Sequence, residues 1–178
     1  MIRARSERVL IRGAQAGSEA DLEELFRRHW RRAYRAAFLI VHDHAAAEDI
    51  AQEAFVAAIR TLDRFDRGRQ FGPWLGRIVA NRAIDWTRSR AARREADPEL
   101  VQDAPAPDPW SDGYSDEIIA ALRALTPEHR AVVVMRYVLE YTPGEIAEAL
   151  ELPRGTVNSR LRRALDVLDT HLREASLR

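Results

Sequence analysis

Cysteine is absent from all 178 residues, and so is lysine. Without thiols there is no disulfide framework and no thiolate metal site, which suits the cytoplasm. The missing lysine reflects coding composition more than chemistry, but it leaves arginine as the whole basic complement. Arginine's planar fork binds phosphate and guanine bidentately. No apolar run approaches the ~20 residues of a membrane span; Ala36 to Val41 is among the longest. The arginines near the start are followed by no apolar h-region, so no signal peptide is expected. No stretch alternates like a strand, and there is no internal repeat.

What is present is ordinary in bulk and uneven in place. Hydrophobic content is 46% and charged content 31%, as in a soluble globular protein. Net charge is zero, and that average misleads. Residues 1–96 carry 19 arginines and 13 acids, whereas residues 97–117 carry seven acids and no base. Residues 118–178 return to near balance, with nine arginines and eight acids. Four of the eight prolines (Pro98, Pro105, Pro107, Pro109) fall in the acidic stretch, which reads as a linker with little regular structure.

Helical periodicity covers the rest. Helices are expected over Ser6 to Ala16, from the Ser18 cap to about Val41, over Ala45 to Leu62, and over Phe71 to about Arg94. Beyond the linker they are expected over Ser115 to Leu125, from Thr126-Pro127, from Thr142 and from about Arg154 to Glu174. The architecture is therefore all-α: two small helical domains, 1–96 and 115–178, joined by a flexible acidic linker, 97–114. No further domain is expected after the last helix.

Residues 142–163 read as a helix-turn-helix. Thr142-Pro-Gly-Glu145 is a capping box. Ile146, Ala147 and Leu150 share one face, and Val157, Leu161, Ala164, Leu165 and Leu168 form the expected buried stripe of the second helix. Gly155, Ser159, Arg162 and Arg163 point the other way, with Asn158 on the flank. A recognition helix needs such amides and cations, for base edges and phosphates. One departure counts against it. Such turns often contain glycine, and this one is Glu151-Leu152-Pro153.

In the first domain, Arg60 to Arg94 holds ten arginines against three acids, interleaved with Phe65, Phe71, Trp74 and Trp86. That mixture suits single-stranded nucleic acid, where cations track the backbone and rings meet unstacked bases. The two tryptophans are expected in the core, with Phe71, Leu75 and Ile78. The loop Phe65 to Phe71 is expected to be functional, because glycine and arginine in an exposed loop make poor core. Arg77, Asn81 and Arg88 lie on one helical face. Ala47, Ile50, Ala51, Ala54, Ala58 and Leu62 make the buried stripe of the preceding helix, and the opposite face presents Asp49, Gln52, Glu53, Val56 and Arg60. That acidic face is either solvated surface or a docking surface for a protein. His42-Asp43-His44 is read as solvent-exposed rather than as a metal site.

Asp49-Ile-Ala-Gln-Glu-Ala-Phe55, the run Phe71 to Asp85, Leu125-Thr-Pro-Glu-His-Arg130 and the helix-turn-helix together resemble the extracytoplasmic-function sigma factors of bacterial RNA polymerase. The resemblance covers nearly the whole chain, with the motifs in order. It implies that residues 1–96 are sigma region 2 and residues 115–178 sigma region 4. Asp49, Gln52, Glu53 and Val56 would dock on the β′ clamp helices, and the second domain would meet the β flap. Arg64, Phe65, Arg67, Gly68, Arg69, Phe71, Arg77, Asn81 and Arg88 would melt and capture the −10 element. Arg154, Thr156, Asn158, Ser159, Arg160, Arg162 and Arg163 would read the −35 element. An anti-sigma factor is an expected partner; no cofactor, metal or membrane insertion is implied, and the free protein would be a cytoplasmic monomer. Asn158, Arg162 and Gly76 depart from residues common in the family. The competing readings are a helix-turn-helix repressor with a dimerising first domain and a nucleic-acid enzyme.

Overall fold

The computed structural model describes residues 5–96 and 116–176. The expected tether of residues 97–114, with Ser115, lies outside the described residues. Among the described residues there are eight α-helices, one 3-10 turn and no strand. The first bundle comprises α1 (Glu7–Gln15), α2 (Glu19–Val41), α3 (His44–Thr61) and α4 (Phe71–Ala96), with the 3-10 turn at Leu62–Arg64. The second comprises α5 (Asp116–Arg123), α6 (Pro127–Tyr137), α7 (Pro143–Ala149) and α8 (Arg154–Ser176).

Caps fix most of these starts. The Ser18 hydroxyl accepts the Asp21 N–H to open α2, and the Asp43 carboxylate accepts the Ala46 N–H at 3.0 Å to open α3. Thr126 caps α6, with Pro127 in its first turn. Thr142 and Glu145 complete the expected capping box of α7. The Thr142 N–H and hydroxyl, each 2.7 Å from the Glu145 carboxylate, hold that carboxyl below its usual range. Local cap residues thus mark these helix starts without help from tertiary contacts.

Packing follows the residue sizes. Ala47, Ala51, Ala54 and Ala58 are buried on α3, and such small side chains let α2 and α4 approach closely. On α2, Phe26, Trp30, Tyr34 and Phe38 recur every fourth residue, so their rings stack into a ladder along one face. Phe55 of α3 joins that ladder, its ring 4.7 Å from Phe26 and 6.1 Å from Trp30. In the second bundle Ile146, Val157, Leu161 and Ala164 are buried where α7 and α8 cross. Leu165 departs from the expected stripe. It is 41% exposed, because it lies a quarter turn off the line through Val157, Leu161 and Ala164.

The turn between α7 and α8 answers the missing glycine. Glu151 itself adopts the left-handed backbone, φ 53°, and the Leu152 N–H then donates to the Ala147 carbonyl at 2.9 Å. A side chain there costs about 1 kcal/mol relative to glycine, a cost the surrounding helices carry.

The two bundles are in contact. α6 packs on both α2 and α4, and the buried side chains of the two domains form one continuous cluster. Gly76 of α4 allows this closeness. A Cβ there would lie 3.1 Å from Leu139 Cδ1 and 3.2 Å from the Tyr141 hydroxyl, both from the second domain. The hydroxyl of Tyr141 is pushed up to about 12 by burial.

Candidate nucleic-acid interface

Helix α8 carries the first half of the candidate site. Val157, Leu161 and Ala164 turn inward, which leaves Arg154, Asn158, Arg162 and Arg163 exposed. Arg154, Asn158 and Arg162 are spaced by four residues and so share one outer face. Thr156, Ser159 and Arg160 are half-buried. Arg160 lines a cleft of about 260 Å³ against the first domain, together with Asn81, Asp85 and Arg88. The expected reading face is thus brought together, except that Arg160 is turned toward the domain seam.

The loop after α3 is built by α1, a role the sequence reading missed. Gln15 donates its amide to the carbonyls of Leu62 (2.8 Å) and Phe65 (3.1 Å), while Arg67 donates back to the Gln15 side chain. Within the loop the Asp66 carboxylate accepts the Gly68 N–H at 2.8 Å, an Asx turn. Glu7 of α1 accepts the first N–H of α4, from Phe71, at 2.9 Å, and lies 3.1 Å from His29 Nε2. Burial pushes His29 below the usual histidine value. The sequence signal was only a glutamate and a glutamine on opposite ends of a short amphipathic helix.

These ties leave Arg64, Arg67, Gly68 and Arg69 exposed, as expected, and change the reading of two aromatics. Phe65 is 7% exposed and Phe71 is 2% exposed. Their rings pack on each other and on Trp74, at centroid distances of 6.0, 4.6 and 5.5 Å, with His29 covering Phe71. Both phenylalanines are core: Phe71 as expected from its helical face, and Phe65 as a correction to its place in an exposed base-trapping loop. The physical reason is that backbone and polar atoms of the loop face water while its two rings turn under it. Trp74 and Trp86 pack partly buried against the core.

Arg77, Asn81 and Arg88 do share one face of α4; the second domain half-covers Arg77 and Asn81 and leaves Arg88 exposed. Asn81 donates its amide to the Ala149 carbonyl at 3.2 Å. Arg88 lies 4.0 Å from Glu128. Arg69, Trp74 and Arg77 line a cleft of about 430 Å³ whose other wall is Tyr141, Glu145 and Glu148. Acids of α7 thus face the arginines of the loop and of α4 across this cleft.

The acidic face of α3 is different, for it is open. Asp49, Gln52 and Glu53 are exposed and Val56 is 46% exposed. With Ala57, Arg60 and Arg82 they line a shallow depression of about 490 Å³. Glu53 pairs with Arg82 of α4, and Gln52 donates to Glu48 at 3.3 Å. Acceptors around an exposed valine make a surface suited to a basic, partly apolar protein partner.

His42 and His44 are half-buried, not solvent-exposed as expected. Tyr34 shares a hydrogen bond with His44 Nδ1 at 2.7 Å, and the His44 ring stacks on Phe38 at 4.3 Å. Both nitrogens of His42 are buried.

Known proteins with related sequences and folds agree with this layout. The family model for sigma-70 region 2 matches residues 25–93, and that for sigma-70 region 4 matches residues 115–168. The chain is similar to the ECF RNA polymerase sigma factor SigE of Mycolicibacterium smegmatis, 36% identical over 86% of this chain and 62% of that protein. It is also similar to the ECF RNA polymerase sigma factor SigW of Bacillus subtilis, 31% identical over 87% of this chain and 89% of that one. The fold matches CnrH, solved with the cytosolic domain of CnrY, at TM-score 0.68 and 28% identity over 94% of this chain and 97% of that one. It also matches the sigma factor RpoE of Bartonella quintana, solved with the anti-sigma factor NepR, at TM-score 0.73 and 22% identity over 86% and 97%.

Proposed function

Because the chain belongs to the extracytoplasmic-function sigma factors of RNA polymerase, we propose that it carries core polymerase to promoters through two DNA-reading domains held by one docking face. Residues 1–96 dock and open the −10 element, residues 97–114 tether, and residues 115–178 read the −35 element. The observation that carries this reading is the open α3 face. Asp49, Gln52, Glu53 and Val56 serve no core of their own and stay clear of the second domain. They suit the β′ clamp helices of the polymerase, with the second domain against the β flap.

The role is binding rather than catalysis. Base capture offsets a few kcal/mol of unstacking with phosphate contacts from Arg64, Arg67, Arg69, Arg77 and Arg88, and Asn81 supplies the amide that meets the displaced base. Phe65 and Phe71 support the loop from beneath. Linking two weak readers raises their joint affinity through effective concentration. The cytoplasm, where polymerase works, is the place of action. An anti-sigma factor is a fitting partner, since the two related folds were solved with bound protein partners.

The docking assignment is tested by Gln52→Ala combined with Glu53→Ala. Affinity for core polymerase should fall by tenfold or more, with helix content unchanged by circular dichroism. Unchanged affinity would remove α3 from the interface. The base-reading assignment is tested by Asn158→Ala in run-off transcription over a promoter library. Preference should change at one −35 position, by the roughly 1–3 kcal/mol of a bidentate base contact. A uniform loss across all sequences would make Asn158 a phosphate contact instead.

A further inference from the structure

The seam between the domains closes on the turn that ends α2. Arg130 of α6 reaches across and donates Nη1 to the Ile40 carbonyl at 2.6 Å. Two residues on, His42 ends α2 in the left-handed conformation, φ 54°, its N–H on the Phe38 carbonyl at 2.7 Å. The His42 ring packs edge-on to Phe38, at 6.1 Å and 82°. Both of its nitrogens are buried without a hydrogen-bond partner.

The charges that act on this ring are of one sign. Arg130 of α6 and Arg123 of α5 both lie on the second-domain side. On the first-domain side, the Asp43 carboxylate is engaged by the Ala46 N–H and by Arg90 of α4 at 2.8 Å. His44 of α3 is held by Tyr34 of α2. A neutral imidazole fits among these groups. An imidazolium would be a buried cation with no acceptor and two guanidiniums for neighbours.

We propose that this seam is a proton-sensitive latch: protonation of His42 drives the second domain off the first and uncovers the Asn81 face of α4. Burial first, then Arg130 and Arg123, pushes His42 down to about 3 in the closed form, from an ordinary 6.5. The closed form therefore binds the proton less well than the open one. Its advantage is full above the ordinary histidine value and is lost as pH falls through it. Between pH 7.5 and 5.5 the open-to-closed ratio should rise about tenfold.

The absence of cysteine makes the measurement direct. Glu19→Cys and Thr170→Cys place one fluorophore on an exposed position of each domain, and single-molecule energy transfer counts open molecules even when they are few. The full chain is read from pH 7.5 to 5.5, with circular dichroism in parallel. Open molecules should rise about tenfold with helix content constant, and His42→Asn, which tolerates the left-handed backbone, should flatten the response. His42→Gly serves the same purpose should the asparagine variant fold poorly. An unchanged ratio in the parent chain overturns the proposal. So does an equal response in the His42 variants, which would place the proton's action at another group. The significance for promoter capture rests on the proposed role of Asn81. The opening itself is read without polymerase or DNA, so the two can fail separately.

Discussion

Gly76→Trp should part the two domains while leaving each folded. The three atoms nearest to a Cβ at this position all belong to Leu139 and Tyr141 of the second domain. An indole has no room there. Forcing extra volume into a well-packed site costs about 1–3 kcal/mol or more, and the cheapest relief is to separate the bundles instead of distorting α4. The radius of gyration from small-angle scattering should increase, and the urea midpoint of each domain should stay nearly unchanged. Gly76→Ala is the matched control. Its methyl meets Leu139 and Tyr141 at 3.1 to 3.4 Å, so these side chains must shift by a few tenths of an ångström, a small strain set against up to about 1 kcal/mol of helix propensity gained by removing a mid-helix glycine. That variant should remain closed. A Gly76→Trp chain as compact as the parent would show that the seam yields elsewhere. Asn81, freed from the Ala149 carbonyl, should then bind a single-stranded −10 oligonucleotide more tightly in the Trp variant than in the parent.

The same residues show where reading a sequence succeeds and where it stops. Helices α2, α3, α6 and α7 were legible because their caps (Ser18, Asp43, Thr126, Thr142) and apolar spacing are local properties of the chain. The buried alanine stripe of α3 and the exposed Asp49–Gln52–Glu53–Val56 face follow from the same periodicity. Phe71 was legible as core from its helical face, whereas Phe65 was misplaced because loop composition says nothing about which way a ring turns. Gln15 and Glu7 went unseen because their partners are 47 to 64 residues away. Nor does local pattern reveal the seam, since a lone glycine in a helix and a histidine at its end have many meanings until their neighbours are known. From the sequence Gly76 reads only as a departure from the family pattern, and its closeness to Leu139 and Tyr141 gives it a physical purpose.

Arg130 is the second position where a single change should have a large effect. It is 8% exposed, and its guanidinium donates to the carbonyls of Leu122 (2.9 Å), Leu125 (2.9 Å), Arg123 (3.4 Å) and Ile40 (2.6 Å). Three of these acceptors belong to the end of α5 and its exit, where helix carbonyls run short of intrahelical partners, although the Leu122 carbonyl also accepts the Leu125 N–H at 3.2 Å. One cation therefore ends a helix, ties it to α6 and closes the domain seam. Burial lowers its pKa to about 10, so it stays charged at neutral pH. Arg130→Met keeps much of the volume and removes every donor. Those carbonyls left without another donor cost about 1–3 kcal/mol each before relaxation, so a net loss of about 3 kcal/mol is expected. Arg130→Lys should restore only part, because an ammonium lacks the planar fork that serves carbonyls in different directions. Amide exchange distinguishes the cap from a general packing role. Protection should fall in α5 and α6 by two orders of magnitude, with α2 fraying only near Ile40 and the rest of the first bundle unchanged. Equal acceleration throughout α1 to α4 would mean that the seam, rather than the end of α5, is what Arg130 chiefly stabilises.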